Sequence, residues 1–517
     1  MNTLTSLQER YWLIDSDNTA SRLFAMLRDQ HATVMHPTSS RTLTFYDSFS
    51  WQLWFSDCVL YRDSDNLILR QLNEQQWQAV LEQVPLPAGP TPTFWWQLPE
   101  SMAVLLQPHL KQRALLAQVK ILRRDTRTDI KNTDNKTVAR VIASEFRRAN
   151  NNGKLFHSCI SAKPIRGYDD AFRTVVKALD QLPLAPCPAS PLHAYFESFA
   201  AWPKAFSAKP ALTLYGAQAV RDVLFETVHA SLQTARLCED GIIKDIDIEF
   251  LHDYRVSIRA IRAVISLLAK WFPTDFIATL KDSFKEWGQR TNRLRDLDVY
   301  LLEENALTAV LPPRLTGAIA PLFEDMGKQR HAEFNKCRRY LQSQTYQHKM
   351  DHVASLVERI RSQNTPSSLS PASDVALKIL HKQYRKVTKL GRSIHAKTTD
   401  HRIHALRIQG KKLRYVLEFF SSLLDPEKTE TLLAAMRQLQ NTLGEFNDLS
   451  VQQNALYTFY TTKTRHDALL GLAVGALIGD LYQRQNHCRG KIVKLFDRFD
   501  TPATRKNFIG LLRGDAR

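Results

Sequence analysis

An internal duplication constrains this chain more than any other feature. The run LHDYRVSIRAIRAVISLL at 251–268 returns as IHALRIQGKKLRYVLEFF at 403–420, at a constant offset of 152 residues. His252 falls on His404, Arg255 on Arg407, Arg259 on Lys411 and Arg262 on Arg414. The register holds upstream, where His229 falls on His381, and downstream, where LRDLDV at 294–299 falls on FNDLSV at 446–451. The second half of the chain is therefore two copies of one structural unit.

The spacing within each copy predicts a helix with a cationic stripe. His252, Arg255, Arg259 and Arg262 stand at i, i+3, i+7 and i+10, which places them within an arc of about 80° on an α-helix. Val256, Ile258, Ile261, Val264 and Ile265 are left to face a core. Neighbouring like charges on a helix repel by a few tenths of a kcal/mol. Water tolerates such a line of cations, and an extended polyanion would use it. A single basic stripe is commonly a solvated face; two in register point to a site.

A second line of cations lies on the helical stretch that precedes the later copy. Lys378, Lys382, Arg385, Lys389 and Arg392 stand at i, i+4, i+7, i+11 and i+14. Their counterparts one repeat earlier are Glu226, Ala230, Gln233, Leu237 and Asp240, so binding is expected to lean on the second repeat. Lys412, beside Lys411, adds one more cation. The basic clusters at 328–339 and 484–494 are weaker candidates. Asp296, Asp298 and Asp448 are expected to orient arginines from behind, because carboxylates facing an anion would repel it. Neither repeated histidine has a second His or carboxylate at i+4, so both read as phosphate contacts or packing residues rather than metal ligands.

Bulk charge agrees. The chain of 517 residues carries 70 Lys and Arg against 52 Asp and Glu. Residues 1–200 hold 22 against 19, and residues 201–517 hold 48 against 33, so the excess lies in the duplicated half. It implies an anionic partner: phosphate chains, nucleic acid or an acidic membrane surface. No apolar run reaches membrane-spanning length, and the N-terminus shows no secretory pattern. The six cysteines are scattered without a C-x-x-C, which favours free thiols in a reducing cytoplasm.

Residues 1–182 read differently. Short β-rich runs at 10–14, 41–46, 58–62, 67–72, 119–124, 138–143 and 155–161 alternate with helical stretches at 21–31, 108–117 and 169–182. The expectation is an antiparallel sheet or barrel with accessory helices. A Pro-rich linker follows at 183–210, then helices almost throughout 211–500, with repeats at about 211–363 and 374–500, a linker at 364–373 and a tail at 501–517.

The repeated H-x-x-R-[VI]-x-x-[RK]-x-[IL]-R helix, followed by R-D-L-D-V, resembles the CHAD domain, over roughly 211–500. The resemblance implies binding of inorganic polyphosphate. YDS at 46–48, the run LRRDTRTDIKNTDNKTVARVIASE and IRGYDDAF at 165–172 make the preceding region similar to a degenerate CYTH domain, the triphosphate tunnel family. Intact CYTH domains imply metal-dependent chemistry on triphosphates inside an eight-stranded tunnel. Their E-x-E-x-K motif becomes Leu7, Glu9 and Tyr11 here, and their L-R-x-R becomes Leu60, Tyr61, Arg62 and Asp63. The LFHSCISAK segment returns no carboxylate. Mg²⁺ or Mn²⁺ needs such oxygen ligands, so catalysis is expected to be lost, leaving a scaffold.

The whole reads as an α+β protein: an N-terminal antiparallel tunnel or barrel, then an all-α domain of two helical bundles related by a pseudo-twofold. The expected function is binding of inorganic polyphosphate, without cofactors, in a basic groove between the stripes. The residues are His252, Arg255, Arg259, Arg262, Lys378, Lys382, Arg385, Lys389, His404, Arg407, Lys411, Lys412 and Arg414. A cytoplasmic place, with polyphosphate granules, goes with it. A metal-dependent triphosphatase and a nucleic-acid binder stay open. The second is weakened because Tyr254, Tyr384 and Tyr415 are the only aromatics in the stripes and none repeats.

Overall fold

The structure is a computed structural model. It describes residues 9–14, 24–29, 32–73, 76–85, 94–148, 155–182, 184–187, 206–210, 212–395, 397–462 and 467–512. Contacts divide the chain into two compact units, Met1–Ser207 and Ala208–Arg517. Leu7 and most of the Pro-rich segment at 183–210 lie outside the described residues.

The first unit is built on one antiparallel sheet. Its strands are β1 (Arg10–Ile14), β2 (Ala32–Met35), β3 (Ser39–Asp47), β4 (Cys58–Asp63), β5 (Asn66–Asn73), β6 (Gln76–Pro85), β7 (Leu116–Lys131), β8 (Thr137–Arg148), β9 (Leu155–Pro164) and β10 (Ala185–Cys187). The order is β10-β1-β9-β8-β7-β3-β4-β5-β6, with β2 also on β7. Strand residues alternate between faces. One face buries Trp12, Ile160 and Val141 under α2 (Asp169–Asp180), and Leu60, Leu67 and Leu69 under α1 (Glu100–Leu110). The other packs Leu43, Phe45, Val59, Tyr61, Val119, Ile121 and Phe146 together.

The sequence places a helix at 108–117, and the structure corrects it. α1 ends at Leu110, Lys111 takes φ 50°, and residues from Leu116 are strand. Leu110 and Leu115 both enter the core beneath α1. A helix end and a strand start covering one core imitate helical spacing. Strands β2, β6 and β10 carry no clear alternation and escape notice in the sequence. Asp47 of the YDS run staples a turn: its carboxylate accepts the backbone N–H groups of Ser48, Leu53 and Trp54 at 2.7, 3.0 and 2.9 Å.

The second unit is helical. The first repeat contains α3 (Val220–Ile243), α4 (Ile248–Leu268), α5 (Thr274–Arg290), α6 (Asn292–Leu302), α7 (Glu304–Val310), α8 (Ala320–Leu341) and α9 (Gln344–Arg361). The second contains α10 (Ala372–Gly391), α11 (Asp400–Phe419), α12 (Pro426–Thr462), α13 (Ala468–Phe499) and α14 (Pro502–Leu512). At the offset of 152, α5 to α7 become the single 37-residue α12. After that helix the register slips by one, and buried Cys337 and Leu341 match buried Cys488 and Ile492.

The residues after 500, set apart as a tail in the sequence, include α14, whose buried Phe508 stacks on Tyr384 at 4.0 Å. The segment between repeats is pinned rather than loose: Ser370 and Ser368 carbonyls accept the N–H groups of Val220 and Arg221 at the start of α3. The five cysteines with described side chains are buried and free. Among the described residues, no helix is long and apolar enough to cross a membrane.

Candidate anion-binding surface

The site begins with two amphipathic helices. Asp247 caps α4 by accepting the N–H groups of Glu249 and Phe250 at 2.9 and 3.2 Å. Helix α4 then buries Leu251, Tyr254, Ile258, Ile261 and Ile265, and α11 buries Ile403, Leu406, Leu413 and Leu417. Gly410 lets α11 lie close to α12, because a Cβ there would meet the Gln440 amide at 2.2 Å. The stripes stay outside these cores. Arg259, Arg262, His404, Lys411 and Lys412 are exposed, while His252, Arg255, Arg407 and Arg414 are half-buried.

The two helices touch across the repeats. The Tyr415 hydroxyl donates to the Ala260 carbonyl at 3.1 Å. This contact sits beside Arg259 and one turn from Lys411, which are repeat equivalents. Partial desolvation by the protein around its end lowers the Lys411 pKa, even though the side chain as a whole is exposed; Arg407, Arg259 and Arg414 lower it further against Asp448. Desolvation also lowers His252, with Arg295 and Arg259 adding to it. Arg259 is lowered by desolvation and then by Arg295. Desolvation leads each of these shifts, and neighbouring cations add to it.

Arg295, on α6 and in the R-D-L-D-V run, belongs to this surface although the sequence gives it no role. It donates to the Ile248 carbonyl at 3.2 Å and sits 3.6 Å from Glu249. Its repeat equivalent is Asn447, which is 2.6 Å from His404 Nδ1. The same position therefore attends the histidine in both copies, once as a cation and once as an amide.

The two arginines that follow the histidines have different duties. Arg255 Nη1 donates to the Gly288 carbonyl, Thr291 Oγ1 and Asn292 Oδ1 at 3.1, 2.9 and 2.8 Å. It inserts where α5 ends and α6 begins, and Thr291 bonds back to the Trp287 and Gly288 carbonyls there. A side chain entering the helical ladder is a recognised cause of a break. Position 443, opposite Thr291, is leucine, and α12 runs on unbroken. Arg407 accordingly lacks that anchor. Its Nε is buried without a partner, and its nearest carboxylate is Asp448 at 3.6 Å.

The cations of α10 do not join this surface. Gln383 donates to the Gln409 carbonyl and side-chain oxygen at 2.9 and 3.0 Å. Gln409 lies on α11 between Arg407 and Lys411, about 160–200° around the helix from either. Helix α10 thus lies on the flank of α11 away from the stripe. Lys378, Lys382, Arg385 and Lys389 point opposite to the buried face of α10 and line an open cleft of about 960 Å³ with His381 and Lys386. Arg392 is held by Asp500.

One arginine of each weaker cluster braces its bundle. Arg330 grips Asp245 with both terminal nitrogens at 2.7 and 2.6 Å and Asp298 with Nε at 2.8 Å. Asp298 therefore orients Arg330 rather than a stripe arginine. Arg489 bonds Asp400 and the Thr398 carbonyl.

The sheet face that carries Phe45 and Tyr61 is internally neutralised. Asp125 accepts from Arg123 at 2.7 Å, Arg41 at 3.1 Å and Ser144 at 2.6 Å. Asp129 is matched by Arg127, Arg140 and His36, and Asp63 by Arg41. Glu9 is 3.4 Å from Lys163. Arg62 points to the opposite face and donates to the Ser64 carbonyl. Among the described residues, no three His, Cys, Asp or Glu side chains gather as a metal donor set. The carboxylates are spent on arginines and lysine, and aromatic rings fill the rest of the face, so a triphosphate-bound Mg²⁺ or Mn²⁺ does not fit these residues.

A CHAD domain family profile matches residues 226–457, wholly within the second unit. Similar solved structures include a CHAD domain from the plant Ricinus communis, at 22% identity over 56% of this chain and 95% of that one, with a TM-score of 0.48. Another is PptA from Streptomyces chartreusis, at 16% identity over 54% of this chain and 99% of that one, with a TM-score of 0.44. No curated protein matches the chain. The chain contains a CHAD domain, which spans residues 226–457 and carries both cationic helices.

Proposed function

We propose that the CHAD unit binds inorganic polyphosphate, without chemistry on it, along the surface shared by α4 and α11. The observation that carries this reading is the meeting of the two stripes at the Tyr415–Ala260 contact, where Arg259 and Lys411 add to each other's positive field. Each stripe covers three turns, about 15 Å, enough for a run of several phosphates. Guanidinium groups suit phosphate oxygens because they donate charge-assisted bonds in a planar fork. The unpartnered Arg407 Nε is a donor in need of such an acceptor.

The sheet unit serves as a scaffold in this reading, and binding requires no metal. Association with polyphosphate granules would follow from the same affinity. A nucleic-acid reader would need rings free to stack on bases. Tyr254 and Tyr384 are buried, and Tyr415 stacks on Phe419 while bonding Ala260. Titration calorimetry of polyphosphate into wild type and an Arg407→Gln, Arg414→Gln variant tests the proposal, in EDTA. Tight binding that weakens at least tenfold in the variant is expected. Equal affinity in both would overturn it.

A further inference from the structure

Resting on that reading of the α4–α11 surface, we propose that the outer face of α10 is a second, separate polyphosphate site, so that one protein chain holds two segments of the polymer at once. The first support is placement. The Gln383–Gln409 contact puts α10 on the side of α11 away from its stripe, with a helix about 10 Å across between the two cationic surfaces. A short anion cannot touch both; a long one can pass around α11.

The second support is unmet charge. Lys378, Lys382, Arg385, Lys386 and Lys389 crowd one open cleft of about 960 Å³. Among the described residues, no carboxylate pairs with any of the five. Lys270, which follows α4 in the other repeat, joins Lys386 in lowering the Lys382 pKa. Like charges that lower one another's pKa in this way are relieved by a bound anion. Lys270 thereby adds to the positive field of the cleft, although no spacing rule in the sequence connects it with α10.

The third support is asymmetry. The equivalent cleft of the first repeat is about 360 Å³ and is lined by His229, Gln233 and Arg236 beside Leu232, Met350 and Glu358. The charge on α10 is therefore not a by-product of the duplicated fold. Two sites on one rigid unit give avidity to any ligand long enough to occupy both, typically by a factor of order 10². A single site gives no such gain.

The test compares tripolyphosphate with long-chain polyphosphate on the full chain by titration calorimetry, using wild type and a Lys382→Gln, Arg385→Gln, Lys389→Gln variant. Circular dichroism confirms that the exposed substitutions leave the helices intact. Wild type is expected to bind two tripolyphosphates per chain and to prefer the long polymer by about 10². The variant should bind one tripolyphosphate at the affinity of the remaining site and lose most of the preference. One tripolyphosphate per chain in both proteins, with an unchanged length preference, would overturn the second site and leave the central surface standing. No binding of either ligand by wild type would overturn both.

Discussion

Neutralising Arg259 and Lys411 together should separate binding from stability. Arg259→Gln with Lys411→Gln removes two repeat-equivalent cations beside the place where the repeats meet, where Arg259 lowers the Lys411 pKa. Both side chains are exposed, and among the described residues neither forms an ion pair with a carboxylate. Their mutual repulsion costs the free protein a few tenths of a kcal/mol, as for other exposed like charges. The free variant should therefore be as stable as wild type or slightly more so. Binding should move the other way: two charge-assisted contacts at about 1.5–3 kcal/mol each give a loss of roughly 3–6 kcal/mol, or about 10²–10⁴-fold. The slope of log affinity against log salt should shrink by somewhat under one per cation removed, as counterion release requires. The control is Arg339→Gln with Lys494→Gln, which changes net charge equally on exposed positions away from the stripes. Arg330 is unsuitable there because it braces Asp245 and Asp298. Fluorescence anisotropy over a salt series and thermal denaturation supply the readouts. A destabilised variant with unchanged affinity would refute the reasoning, since these residues would then be structural.

His252 should make binding pH-dependent. Its folded pKa lies below the ordinary value of about 6.5, so the free protein loses stability as pH falls through that value, where the unfolded chain takes up more protons. A bound polyanion favours the protonated ring, so affinity should rise as pH falls, and His252→Gln should flatten both profiles. Arg330→Ala should cost about 3 kcal/mol in denaturant unfolding, because it strands Asp298 uncompensated, with affinity per folded molecule unchanged. A fragment of residues 206–517 should fold and keep most of the affinity; a helical fragment that fails to bind would implicate the sheet unit. The full chain with triphosphate and Mg²⁺ or Mn²⁺ should release no phosphate above a heat-inactivated control. Metal-dependent turnover abolished by Glu9→Ala would contradict that expectation.

The helices of the site were legible because their evidence is local. The offset of 152 and the i, i+3, i+7, i+10 spacing locate α4 and α11 and separate their cationic from their apolar sides. The antiparallel sheet was legible where β-branched, aromatic and other apolar residues cluster, as in β3, β4 and β8, and illegible in largely exposed β2, whose side chains obey no burial pattern. What remained hidden depends on how elements meet. The sequence offers Arg255 and Arg407 as equivalents, but only the break between α5 and α6 reveals that one anchors a helix end and the other does not. It offers the α10 stripe as a wall of the same groove, and the Gln383–Gln409 contact puts that stripe on the other flank of α11. Arg330 resembles the stripe cations in composition, and only its two carboxylate partners set it apart. Arg295 belongs to the R-D-L-D-V motif, and its place near His252 is a tertiary fact.

Competition between polyphosphate and RNA at one fixed salt concentration tests the central claim most directly. Labelled polyphosphate bound to the 206–517 fragment is challenged with unlabelled polyphosphate or single-stranded RNA of equal total charge. The arrangement of the stripes, with no ring free to stack on a base, predicts displacement by polyphosphate at concentrations at least tenfold lower than by RNA. Displacement by RNA at equal or lower concentration would contradict the account and make the α4–α11 surface a nucleic-acid site.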